Sequence, residues 1–95
     1  MTLYAVQYDS WDSVSVFSTF EKAKEDIVNY VKNGEDWYWN LGVVQTYFEE
    51  KTTELFGFDT WEEGLMLCDY DRIDEFLGDF ASIEKITVDK SMWKP

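Results

Sequence analysis

The sequence predicts one α+β domain over residues 1–95, a small antiparallel sheet packed against three or four helices. The sheet is built from an N-terminal hairpin and a C-terminal strand. Three observations predict it. Two short N-terminal stretches alternate in the period of a half-buried strand. Two later stretches, around residues 19–33 and 73–80, repeat apolar residues at helical spacing. The chain has 95 residues, 45% hydrophobic and 19% aromatic, which suits one core.

Taken in order, Leu3, Ala5 and Gln7 alternate with Tyr4, Val6 and Tyr8. Val14 and Val16 begin a second alternating run that Ser18 extends. Asp9-Ser10-Trp11-Asp12 between them is rich in turn formers, so the segment reads as a β-hairpin. Ser18-Thr19-Phe20-Glu21 has the form of a capping box, in which Ser18 accepts from the third helical amide and Glu21 reaches back. Ala23, Ile27, Tyr30 and Val31 follow at helical spacing, and Asn33-Gly34 offers a left-handed stop. A helix over 19–33 results.

Residues 36–56 admit two readings. Trp37, Leu41, Val44, Phe48 and Leu55 suit one helical face, whereas Trp37, Trp39, Leu41 and Val43 suit one face of a strand. Gly42 weakens a helix, but the helical period runs longer and Gly57 is a natural stop, so helix is favoured. Thr60-Trp61-Glu62-Glu63 is a second capping box and predicts a short helix through Leu67. Asp69 or Asp71 can cap another helix, with Ile73, Phe76, Leu77 and Phe80 as its buried stripe. Ser82–Val88 closes the sheet with Ile86 and Val88 inward, and Asp89–Pro95 follows as a loose tail.

The residue inventory argues against catalysis. There is no histidine, the usual general base and commonest metal ligand. The single cysteine, Cys68, cannot form an intramolecular disulfide or a zinc site by itself. It follows Leu65-Met66-Leu67 and reads as a buried structural thiol. Paired carboxylates abound, but the chain is short for a sugar cleft, and acids this numerous pair by chance. Asp69-Tyr70-Asp71-Arg72-Ile73-Asp74 invites a calcium reading, yet Asp74 stands where such a loop needs glycine and Phe80 where it needs glutamate. No phosphate-binding glycine motif occurs. The expectation is a protein with no catalytic residues, metal or cofactor. No signal peptide is recognisable, no apolar run is long enough to span a membrane, and thiol usage fits a reducing compartment, so the expected location is cytoplasmic.

Charge is the informative feature. Net charge is −12. Residues 35–79 hold thirteen acids against Lys51 and Arg72, a net −11, while the flanking segments carry −2 and +1. Such a chain repels phosphate, so direct binding to nucleic acid or to an anionic membrane is not expected. A basic protein surface is the natural partner, because complementary charge steers encounter. Asp59, Glu62, Glu63, Asp69, Asp71, Asp74, Glu75 and Asp79 are the candidate binding acids. Trp61 and Tyr70 are candidate aromatic anchors, although burial in the core is the role their setting favours. Asp71, Asp74 or Glu75, and Asp79 recur at helical-turn spacing, about 5–6 Å, roughly comparable to phosphate spacing along a nucleic-acid strand.

Tyr4-Ala5-Val6, followed by Val16-Phe17-Ser18-Thr19-Phe20-Glu21-Lys22-Ala23, resembles small bacteriophage and bacterial proteins that open with a hairpin and a helix marked F-S-T/S-x-E-K-A. That resemblance covers the hairpin and first helix and carries no functional residues across. The overall profile is short, acidic and aromatic, without histidine or disulfides, and resembles phage-encoded nucleic-acid mimics. It implies inhibition of a host nucleic-acid-binding protein or defence complex, of restriction or CRISPR type, by occupying its basic surface. The alternatives are an immunity protein or antitoxin for a basic toxin, or an adaptor whose acidity only confers solubility.

Overall fold

Alternation along the N-terminal segment resolves into two paired strands in a computed structural model, which describes residues 1–10 and 13–87. β1 (Thr2–Tyr8) pairs antiparallel with β2 (Val14–Phe17) on one side and with β3 (Ala81–Thr87) on the other, giving the order β2-β1-β3. Between β2 and β3 come α1 (Phe20–Asn33), α2 (Leu41–Phe56), α3 (Trp61–Leu67) and α4 (Ile73–Leu77). The fold is α+β, as predicted.

Register decides which side chains enter the core. Val6 is opposite Ile83 and Tyr8 opposite Ala81, and these four are buried under the helices. Period-two alternation then sends Ile86, opposite Leu3, to the other face, where it is 38% exposed with Val14 and Val16. The expectation that Ile86 points inward is therefore corrected: Ala81 and Ile83 set the phase of β3. Trp11 and Asp12 of the proposed turn, Val88 and the tail 89–95 lie outside the described residues.

The helix ends differ in detail from the sequence pattern. Thr19, not Ser18, caps α1, its Oγ1 accepting from the Lys22 amide at 3.1 Å. Gly34 ends α1 in an extended rather than left-handed conformation (φ −88°, ψ −178°). For residues 36–56, the favoured helix forms over its later part. Asn40 caps α2 by accepting from the Gly42 and Val43 amides, and Gly57 stops it at φ 82°. Val44 and Phe48 are buried and Leu41 and Leu55 half-buried, but Trp37 precedes the helix and is 81% exposed. The second capping box does not close, since the Thr60 side chain makes no cap bond to α3. Asp69 Oδ1 accepts from the Arg72 amide in the turn before α4, and Ile73, Phe76, Leu77 and Phe80 are all buried.

Phe48 is the centre of this core. It is fully buried, with ring centroids of Phe76, Trp61 and Phe80 at 5.2, 5.8 and 6.1 Å. α2 thereby joins α3 and α4 to the sheet side of the domain. The fixed surface of α2, α4 and the connections around them is what the core presents outward.

Candidate functional site

The inner stripe of α2 is spent on Val44, Phe48 and Thr52, flanked by the half-buried Leu41, Tyr47 and Leu55, and the opposite side of the helix faces solvent. Glu49, Glu50 and Glu54 are exposed there and surround, with Asp59, Thr46 and Thr53, a shallow depression. Asp59 is thus brought together with three acids that the sequence reading left outside the site. Glu50 and Glu54 share a face of α2 at i, i+4, whereas the placement of Asp59 beyond the Gly57 stop is set by packing.

The other predicted acids divide by environment. Glu62 is half-buried and reaches Lys32 of α1 at 3.8 Å. Asp69 is exposed and holds the turn before α4. Glu63, Asp71, Asp74 and Glu75 are exposed. Asp79 is exposed beside Gly78 and shares a second depression with Asp9. The two ion pairs formed by described residues are Lys32–Glu62 and Lys51–Glu54, the latter at 3.5 Å. Seven of the eight candidate acids, Asp59, Glu63, Asp69, Asp71, Asp74, Glu75 and Asp79, are consequently exposed without an ion-pair partner among the described residues.

The two aromatic candidates part company. Trp61 is 5% exposed and packs on Phe48, so it belongs to the core, the role its setting favoured. Tyr70 is 37% exposed but fixed in place. Its ring meets Tyr4 and Phe20 edge-on, Lys85 Nζ lies 5.2 Å from its centroid, and its hydroxyl oxygen accepts from the Lys85 amide at 3.0 Å.

One acid of the middle segment is structural. Asp36 Oδ1 accepts from the Tyr38 and Trp39 amides at 2.7 Å each, and Oδ2 accepts from the Ser10 and Tyr30 hydroxyls. Burial alone would raise its pKa, but the four hydrogen bonds outweigh it and hold the carboxyl down to about 2. Asp36 thereby shapes the Trp37–Trp39 turn, an Asx-type motif readable only once the turn is known. Cys68 is 1% exposed, and burial pushes its thiol up to about 11, the behaviour of a structural rather than nucleophilic cysteine.

That turn and Gly78 frame a feature the sequence did not suggest. Trp39, Val43, Tyr47, Leu77, Asp79 and Phe80 line an open groove of about 300 Å³. Gly78 sits in its wall at φ 59°, and a Cβ there would lie 3.0 Å from the Tyr47 hydroxyl. Val43 of the lining is 62% exposed, and Trp37 and Tyr38 of the turn before Trp39 are 81 and 65% exposed. Sequence patterning does not indicate the groove, because it places Trp37, Trp39 and Val43 on continuous helix or strand faces, whereas a turn separates the tryptophans from α2.

The described residues contain no group of three or more His, Cys, Asp or Glu placed to hold a metal ion, and no helix among them is long and apolar enough to cross a membrane. Fold and surface together define a small α+β domain with exposed carboxylates that lack an ion-pair partner among the described residues, one of which, Asp79, lines an apolar groove. No family model, curated protein or solved structure matches the chain.

Proposed function

We propose that this protein is a stoichiometric inhibitor that occupies the basic nucleic-acid-binding surface of a host protein or defence complex. The observation that carries the reading is the set of seven exposed candidate carboxylates with no ion-pair partner among the described residues. A solubilising surface usually mixes both signs. Here the acids repel one another, a cost that a basic partner would relieve. Glu49, Glu50 and Glu54 extend the acidic surface around Asp59. Trp61 is withdrawn from the anchor set because it is core.

Affinity capture from a host lysate across a salt series tests the reading. The wild-type protein should retain a nucleic-acid-binding protein at low salt and release it as salt rises. A variant carrying Asp59→Asn, Asp71→Asn, Asp74→Asn and Glu75→Gln should fold and lose that partner. Undiminished binding by the folded variant would sink the mimic model.

A further inference from the structure

The groove between α2 and the turn after α4 says what kind of side chain the partner should present. Three of its lining residues, Trp39, Tyr47 and Phe80, are aromatic, and Val43 and Leu77 are aliphatic. Among the described residues, Asp79 is the one charged residue of the lining, and it is exposed without an ion-pair partner. A volume of about 300 Å³ accommodates one long side chain rather than a folded element. An apolar stem with a planar cationic head satisfies every part of that lining. Methylene groups cover the aliphatic wall, a guanidinium stacks on aromatic faces, and its two parallel N–H bonds match a carboxylate.

The chain itself already uses this chemistry. Lys24 lies 4.4 Å from the Phe20 ring centroid, Lys85 5.2 Å from Tyr70 and Lys51 5.7 Å from Tyr47. Lys51, the cation stacked on a groove residue, has its charge offset by Glu54 at 3.5 Å.

We propose that this groove seats an arginine side chain of the basic partner, stacked against its aromatic wall and paired with Asp79. The proposal rests on the acidic-surface reading and adds to it a specificity that charge alone does not supply. Oligoarginine and oligolysine peptides of equal length carry equal charge, so long-range attraction is the same for both; any preference from guanidinium pairing with carboxylates outside the groove is separated from the slot by filling the groove.

Calorimetric titration with these two peptides is the test. The wild-type protein should prefer oligoarginine by about fivefold, the scale of a partly exposed cation–π contact. Val43→Trp, a change at an exposed helix position that fills the groove, should remove the preference. Asp79→Asn should reduce it. In parallel, the Trp39 indole N–H resonance should shift with oligoarginine and stay still in the Val43→Trp protein. Equal affinity for the two peptides, or a preference that survives Val43→Trp, overturns the slot. If that happens while both peptides still bind in a salt-sensitive way, the acidic-surface reading stands. Failure of both peptides to bind overturns both.

Discussion

Gly64 of α3 packs face to face with Thr52 of α2, so closely that a Cβ at position 64 would lie 2.8 Å from the Thr52 Cβ and closer still to its Oγ1. Thr52 is fully buried, and its hydroxyl donates to the Phe48 carbonyl at 2.7 Å. The contact therefore fixes α3 against the helix that carries both the outer acids and one groove wall. Glycine costs about 1 kcal/mol of helix propensity relative to alanine, so Gly64→Ala would stabilise an open helix. Here overpacking should win, destabilising by roughly 1–3 kcal/mol. Urea unfolding checks this, and adding Thr52→Ala should recover part of the loss, as an interaction energy in a double-mutant cycle.

Lys24 provides a second test of how α3 is held. It is 4% exposed, and its Nζ donates to the Met66 and Cys68 carbonyls at 2.6 and 3.0 Å, satisfying the end of α3 from α1. Lys24→Met keeps an apolar stem but leaves these carbonyls without their donor. Stability should fall by about 1–3 kcal/mol. Thermal unfolding measures it, and an unchanged Tm would mean that the ammonium contributes nothing net of its desolvation.

What the sequence made legible follows from which signals are local. Ile73, Phe76 and Leu77 are buried on α4 as their spacing requires, whereas Phe80, expected on the same helical stripe, lies beyond the Gly78 stop and is buried from the connection to β3. Ile86 went wrong because a strand carrying apolar residues on both faces has two possible phases, and only pairing with Val6 selects Ile83. Thr19 takes the cap expected of Ser18, a one-residue shift between adjacent hydroxyl side chains that either can satisfy chemically. Exposure of Asp74 and Glu75 follows from helix phase, but Asp71 and Asp79 lie outside α4, so the helical-turn spacing expected of the four acids is not realised. The grouping of Asp59 with Glu49 and Glu50, and the groove, depend on tertiary packing of α2 that no local pattern encodes.

Asp36 predicts a pH dependence. Its folded pKa of about 2 lies below the usual aspartate value, roughly 4 in an unfolded chain. A depressed carboxyl stabilises the fold above its unfolded pKa, and that stability is lost as pH falls from roughly 4 through about 2. Asp36→Asn can still accept from the Tyr38 and Trp39 amides, but its amide nitrogen cannot accept from the Ser10 and Tyr30 hydroxyls. The variant should be about 1–2 kcal/mol less stable at neutral pH, discounted for partial exposure. The gap to wild type should close below the window, and parallel pH–stability curves would contradict the assignment.

Stability and binding should move in opposite directions on the outer face of α2. Glu50 and Glu54 are like charges at i, i+4, exposed, and gathered with Glu49 and Asp59 around one depression. Such a pair destabilises a helix by about 0.2–0.5 kcal/mol. Lys51 offsets only Glu54. Glu50→Gln should therefore raise stability by about 0.3 kcal/mol at low ionic strength, an effect that fades as salt screens the wild-type repulsion. If the carboxylates serve only solubility, that gain carries no functional loss. If they face a basic partner, the same substitution should weaken salt-sensitive capture, because the repulsion that strains the free protein is the charge the partner reads. Denaturation and capture measured on one variant at matched salt separate the two cases, and a gain in stability with unaltered capture would remove Glu50 from the interface.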